Sequence, residues 1–343
     1  KEATGDMKDE QLRDLNDKLI YVRNLIKRQN EIKNSIEEQG KMTPELSLAI
    51  DKVEKLQELE DIYLPYKQKK RTRAMIAKEK GLEPLAQFIL KQEDSSEKLE
   101  DIALKYLNDE VTSSDEALAG ASDIIAETIS DSADIRAKLR QHLWQTSSLS
   151  ITRDKEADSD EAFLMYEDYT EPIKHLPSHR ILAINRGESK DILKVKLISN
   201  IDKDIAIITK FILKQNSPYK EFLTNAIIDA YKRLIFPALE REIRNQLTET
   251  AQTQAIHVFA SNLKQLLLQA PLAGYTVMGL DPGYRTGCKM AIVDATGQVL
   301  DHGVLYITMS DDTKAKSAQK LLDYIQKYQV NLISIGNGTA SYE

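Results

Sequence analysis

The chain of 343 residues is long enough for about two or three domains of ordinary size. Apolar residues make up 41% of it and no stretch approaches the roughly 18 to 20 unbroken apolar residues of a membrane span, so the composition indicates a soluble protein and excludes membrane insertion. The net charge of −7 argues against a general affinity for nucleic acid, and the single cysteine, Cys288, excludes an internal disulfide, so a cytoplasmic location is expected.

The first part of the chain has the sequence pattern of helices. Thr43-Pro44-Glu45 is typical of an N-cap, a first-turn proline and a first-turn acid. We therefore predict a helical region over residues 1–175 and a second helical segment over 201–272. One apolar set recurs every three or four residues, which predicts a helix face that packs on another helix: Leu12, Leu15, Leu19, Val22 and Ile26.

Charge is unevenly distributed along this helical region. Residues 66–80 carry seven positive side chains against one acid, whereas residues 91–134 hold thirteen acids against three lysines. The positive run comes just before an expected N-cap at Thr72, so it predicts a phosphate contact near a helix start. The alternative is a solvated basic loop close to the acidic segment of the same chain. Five cations form the candidate contact: Lys67, Lys69, Lys70, Arg71 and Arg73.

Residues 176–200 have the pattern of a small β-hairpin insertion. Two runs rich in β-branched residues, 179–185 and 192–197, flank a turn that contains Gly187. We therefore predict two antiparallel strands here.

The distribution of glycine marks the start of a different kind of domain. Eight of the thirteen glycines lie from Gly274 onward, and glycine is typical of turns between strands. Residues 273–343 read as three strands joined by tight turns, then a helix and a fourth strand. This β-β-β-α-β order is the beginning of a ribonuclease-H-like α/β fold. The predicted fold class is therefore a multidomain, mainly α protein with an incomplete C-terminal α/β domain of this type.

A nuclease of that fold needs several carboxylates around divalent ions. Asp281 ends the first strand and could supply one, but Asn337 stands where the fourth strand should supply a second. The metal site is therefore predicted to be incomplete, with no cofactor, and Asp281 is read as a turn residue or a vestigial ligand. Arg285 and Lys289 lie in the loop and strand that follow, where they could contact a phosphate backbone or be solvated.

Several segments in this order resemble the Tex family of bacterial transcription accessory proteins. They are residues 13–25, 61–67, 81–86, 177–180, 185–188, 279–287 and 335–341. The resemblance covers essentially the whole chain. It implies a helical N-terminal region followed by a YqgF-type domain, related to Holliday-junction resolvases and regarded as lacking nuclease activity. In that family helix-hairpin-helix modules and an OB-fold RNA-binding domain follow, so the chain is expected to be a fragment.

Three hypotheses about function follow. The first is a non-catalytic, nucleic-acid-binding scaffold in transcription, with RNA or single-stranded DNA and possibly the transcription machinery as partners. The second is a metal-dependent, structure-selective nuclease that uses Asp281. The third is a protein-binding module whose acidic helices, within residues 91–134, contact a basic partner.

Overall fold

The computed structural model describes residues 7–68, 70–93, 95, 97–157, 161–270, 273–338 and 340–342. The chain divides into two compact units, with the boundary between His257 and Val258. The mainly helical first unit and the α/β second unit confirm the predicted fold class. In the described residues, no helix is long and apolar enough to traverse a lipid bilayer.

The described part of the chain contains thirteen α-helices, of which the first and the twelfth are the longest, with 30 and 32 residues. They are α1 (Asp9–Glu38), α2 (Pro44–Asp51), α3 (Leu56–Tyr63), α4 (Arg73–Glu79), α5 (Glu83–Lys91), α6 (Leu99–Leu104), α7 (Ser114–Ser130), α8 (Ala133–Thr146), α9 (Ser178–Ser189), α10 (Ile201–Ile212), α11 (Lys220–Asp229), α12 (Phe236–Leu267) and α13 (Asp311–Tyr328). A π-helical turn, Ala230–Ile235, joins α11 to α12.

The first unit contains two clusters of buried apolar side chains. The larger extends from Ala74 in α4 to Ala251 in α12. The smaller holds α1 against α2 and α3, and its buried members are Leu25, Ile32, Ile36, Ile50 and Leu59. Each fully buried leucine or isoleucine contributes about 1.5–3 kcal/mol, so both clusters stabilise their helices substantially.

The predicted helix at the N-terminal end is confirmed, but the packing predicted for its apolar face is wrong over most of its length. Leu15, Leu19, Val22 and Ile26 are between 41% and 50% exposed. The first described residue of α1 that is buried is Leu25, where the helix meets the smaller cluster. The periodicity correctly identified a helix, while burial depended on which part of it meets a partner.

The β-structure of the first unit is a three-stranded antiparallel sheet. Its strands are β1 (Ser148–Arg153), β2 (Tyr169–Pro172) and β3 (Leu193–Ile198), in the order β2-β1-β3. The hairpin predicted over residues 176–200 is therefore wrong, because its first half is helix α9 and its second half, β3, pairs with β1. Ile181, Ile184 and Gly187 recur every three residues on the buried face of α9, and this helical burial overrides the β-branched composition.

The second unit is a four-stranded sheet with one helix on its face. The strands are β4 (Val277–Asp281), β5 (Cys288–Val293), β6 (Val299–Leu305) and β7 (Leu332–Ile335), in the order β6-β5-β4-β7. β4 and β7 are parallel and the other neighbours are antiparallel, which confirms the predicted β-β-β-α-β arrangement. Side chains of α13 pack on buried Met278, Met290 and Ile292.

Candidate nucleic-acid interface

The positively charged loop lies between the 3₁₀ turn Leu64–Tyr66 and helix α4. We call residues 67–73, which are this loop together with the first residue of α4, the basic loop. Thr72 is the N-cap of α4, and its side-chain oxygen accepts a hydrogen bond from the backbone N–H of Met75 at 3.1 Å. This confirms the cap predicted from the sequence and explains why the loop ends where it does.

The structure gathers four of the five predicted cations on this loop; the fifth, Lys69, lies outside the described residues. All four are exposed: Lys67, Lys70, Arg71 and Arg73. Arg71 forms an ion pair with Glu79 at 3.0 Å, but the two side chains are 72% and 56% exposed. Such a surface pair is worth about 0–1 kcal/mol, so it competes weakly with an anionic ligand.

The start of the basic loop is fixed by hydrogen bonds to neighbouring helices. The backbone N–H of Lys67 donates to the carbonyl of Tyr63 at 3.0 Å, and the side-chain amide of Gln39 in α1 donates to the carbonyl of Tyr66 at 2.9 Å. The Tyr63 hydroxyl and Ser35 share a further bond of 3.0 Å. An anchored loop loses less conformational entropy on binding than a free one.

A buried group of ion pairs holds α3, which leads into the basic loop, on the rest of the first unit. Asp61 is 3% exposed and accepts from Arg136 at 2.9 Å and from Arg140 at 2.7 Å, both in α8. Arg140 also pairs with Glu242 in α12. Burial alone would lower the pKa of Arg140, but its bonds and attraction to Glu242 and Asp61 outweigh burial, and the pKa is raised.

The amino-acid sequence contains only one local signal of this group. Arg136 and Arg140 are four residues apart and so lie on one face of α8. Their partner Asp61 is 75 residues from Arg136 in the sequence, and no local pattern connects them. This group, which supports the helix leading into the basic loop, is therefore visible only in the folded chain.

The remaining predicted contacts belong to the second unit. Arg285 is exposed in the loop between β4 and β5, and Lys289 is exposed in β5. Gly287 in that loop has a φ of +76°, and a Cβ there would lie 2.6 Å from Val304 Cγ1. Glycine is therefore required for this tight turn, as the sequence indicated.

Asp281 stands at the end of β4 with Lys289 as its cross-strand partner in β5. On its other side the Gly336 N–H donates to the Leu280 carbonyl at 2.8 Å, which places Asn337 beside the end of β4. A lysine and an asparagine are therefore the backbone neighbours of Asp281 at this end of the sheet. Cys288 is buried. Burial is the main cause that raises the pKa of its thiol, and the negative charge of Asp281 raises it further. Among the residues that the structure describes, no three Asp, Glu, His or Cys side chains form a group that could hold a metal.

The acidic segment, residues 91–134, is partly neutralised within its own unit. Glu116 pairs with Lys80 at 3.0 Å, and Asp123 with Arg233 at 2.8 Å. The pKa of Glu116 is below its usual value, mainly because its carboxylate accepts a hydrogen bond from the backbone N–H of Thr112 and also because it bonds to Lys80. These pairs reduce the negative charge that the segment offers to a basic partner.

Two family models match this chain. The Tex central region-like model matches residues 94–259, and the Tex protein YqgF-like domain model matches residues 275–343. Together they cover more than half of the sequence.

Curated relatives match along the whole chain. It is 45% identical to protein YdcI of Bacillus subtilis over 350 residues, covering 100% of this chain and 48% of the relative. It is 40% identical over 358 residues to the transcriptional accessory protein Tex of Neisseria gonorrhoeae, covering 45% of that protein. It is 31% identical over 363 residues to the human S1 RNA-binding domain-containing protein 1, covering 36% of it. The chain thus spans half or less of the length of these relatives.

Proposed function

We propose that this chain, which belongs to the Tex family, is a nucleic-acid-binding accessory factor in transcription that contacts the phosphates of single-stranded RNA or DNA without cutting them. The observation that carries the proposal is the basic loop, where four described cations are exposed on an anchored segment. Lysine and arginine contacts to phosphate supply most of the sequence-independent affinity for nucleic acids.

The geometry of the basic loop supports binding to a flexible strand. Lys67, Lys70, Arg71 and Arg73 project from seven consecutive residues, so they can follow a short run of backbone phosphates. Arg285 and Lys289 are proposed as further phosphate contacts, made by the second unit. We also propose that the protein acts in the cytoplasm and that the transcription machinery is one of its partners.

The non-catalytic part of the proposal is supported by the surroundings of Asp281. Metal-dependent phosphate cleavage requires carboxylates that converge on one or two ions. Here the cross-strand partner of Asp281 is Lys289, whose charge repels a cation, and the residue beside the end of β4 is Asn337. The residues at this end of the sheet favour holding a phosphate over assembling a metal centre.

Charge reversal tests the proposal. The triple variant Lys67→Glu, Lys70→Glu, Arg71→Glu should lower the affinity for a fluorescent single-stranded RNA by at least about tenfold at low salt, because attraction becomes repulsion. The measurement is fluorescence anisotropy with the full chain.

The matched control reverses three exposed lysines elsewhere in the same unit: Lys203, Lys210 and Lys220. It changes the net charge by the same amount and should cost much less affinity. Equal losses in both variants would mean that only net charge matters and would remove the basic loop from the proposal.

A further inference from the structure

A polar crevice of about 480 Å³ lies in the first unit between α9, the edge strand β3 and the first half of α12. Val195 of β3 is the apolar residue of its lining, and the other lining side chains carry amide, hydroxyl, carboxylate or guanidinium groups. Its volume falls within the roughly 300–1,000 Å³ typical of small-molecule sites. The phosphate contacts proposed above do not involve this crevice.

Close packing of α9 on β3 forms one wall. A Cβ at Gly187 would lie 2.5 Å from Leu193 Cδ1 and 3.1 Å from Phe163 Cδ1, so only glycine permits this approach. Asn185 and Glu188, which flank Gly187 in α9, line the crevice next to α12.

Arg244 of α12 is held in a fixed orientation in this wall. Its Nη2 atom donates to Glu188 Oε2 at 2.5 Å and to Asn185 Oδ1 at 3.3 Å. The amide nitrogen of Asn185 in turn donates to the Thr248 hydroxyl at 2.9 Å. These polar groups are therefore positioned before any ligand arrives, which lowers the entropic cost of binding.

Arg241, one turn earlier in α12, is available to an anion. It is exposed, and among the described residues it has no carboxylate partner; its Nε atom donates to the Pro237 carbonyl at 3.2 Å. Two arginines and two glutamates line the crevice, so its formal charge is balanced. This balance suits a ligand with a single negative charge, such as a phosphodiester, better than a polyphosphate.

The open edge of β3 offers backbone groups to the same crevice. The Leu197 N–H points away from β1, since it donates to Glu240 Oε1 at 2.8 Å. Alternation along an antiparallel strand therefore turns the N–H and C=O of Val195 outward as well. A peptide cannot add along this edge as a strand, because Glu240 occupies it at Leu197 and the Ile192 N–H is bonded to Gly187 of α9. Val195, which lines the crevice, therefore offers it one donor and one acceptor, a pairing that the edge of a nucleobase can match.

We propose that this crevice binds one nucleotide unit of a single strand, with its phosphodiester on Arg241 and the edge of its base on the backbone of Val195. The inference rests on the proposed nucleic-acid binding and extends it by a second contact, which recognises the base as well as the phosphate. We propose that the bound phosphate belongs to a nucleic-acid strand. A free mononucleotide has the same chemical groups, but its phosphate carries more negative charge.

The test titrates the full chain with the dinucleotide UpU and with UMP, and follows binding by calorimetry. Arg241→Gln should weaken UpU binding about tenfold, because a charged hydrogen-bond donor is lost. Lys264→Gln, which removes a cation from α12 outside the crevice, should leave it unchanged. Hydrogen exchange at the Val195 amide should slow when UpU is added. Weaker binding of UMP supports a strand as the source, whereas tighter binding of UMP, abolished in Arg241→Gln, assigns the site to free nucleotides.

The inference is overturned if neither probe binds at millimolar concentration, or if Arg241→Gln and Lys264→Gln bind UpU equally. These results are independent of the basic loop, because a dinucleotide is too short to bind the loop and the crevice at the same time. UpU binding that persists in the charge-reversed loop variant would support the crevice even if the loop failed its own test.

Discussion

Asp61 supports the helix that leads into the basic loop. Asp61 is 3% exposed, and its carboxylate accepts hydrogen bonds from two arginines of α8. The helix that carries Asp61, α3, leads into the basic loop. Replacing Asp61 by asparagine should lower the free energy of unfolding by about 3 kcal/mol, because the buried guanidinium of Arg136 and the half-buried one of Arg140 would then share the single carboxylate of Glu242. Urea denaturation followed by circular dichroism measures this change.

Asp51→Asn is the matched control. Asp51 pairs with Lys33 at 2.7 Å, but its side chain is 56% exposed. Its loss should therefore cost less than about 1 kcal/mol. If the two variants lost the same stability, the buried group would not be the support described for α3.

At the scale of secondary-structure elements, Gly187 decides how α9 meets β3. Gly187→Ala places a methyl group 2.5 Å from Leu193 Cδ1, and overpacking of this kind costs about 1–3 kcal/mol. Thermal unfolding should show this loss. Leu193 is itself buried, so Leu193→Ala alone should also be destabilising, but the double variant should lose less stability than the sum of the two single losses, because the clash is relieved.

Ser189→Ala, at the exposed end of the same helix, should change stability by no more than about 0.5 kcal/mol. A Gly187→Ala variant as stable as this control would show that α9 can move away from β3 at no cost. It would also remove the reason given for one wall of the crevice.

The same elements show what the sequence could and could not predict. The N-cap at Thr72 and the β-β-β-α-β order of elements in the second unit follow from local patterns, and the structure confirms both. The segment 179–185 was misassigned because its β-branched residues favour a strand, while the burial of Ile181 and Ile184 against distant residues favours a helix. The pairing of Asp61 with Arg136 could not be predicted, since it joins positions 75 residues apart.

At the scale of the whole molecule, we propose that the chain binds nucleic acid and leaves it intact. Full chain incubated with Mg²⁺ or Mn²⁺ and branched DNA should give no cleavage above the protein-free control, because Lys289 and Asn337 flank Asp281 where further acids would be needed. Gel electrophoresis of labelled DNA measures this. Cleavage that disappears in Asp281→Asn would establish the nuclease hypothesis instead.

The central claim is that cations of the basic loop neutralise phosphates, and the salt dependence of RNA binding tests it most directly. Each phosphate contact on a single strand contributes roughly −0.7 to the slope of log K against log salt concentration. The neutral variant Lys67→Gln, Lys70→Gln, Arg73→Gln should therefore have a slope shallower by about 2 than the unchanged chain. Identical slopes for the two proteins would contradict the account.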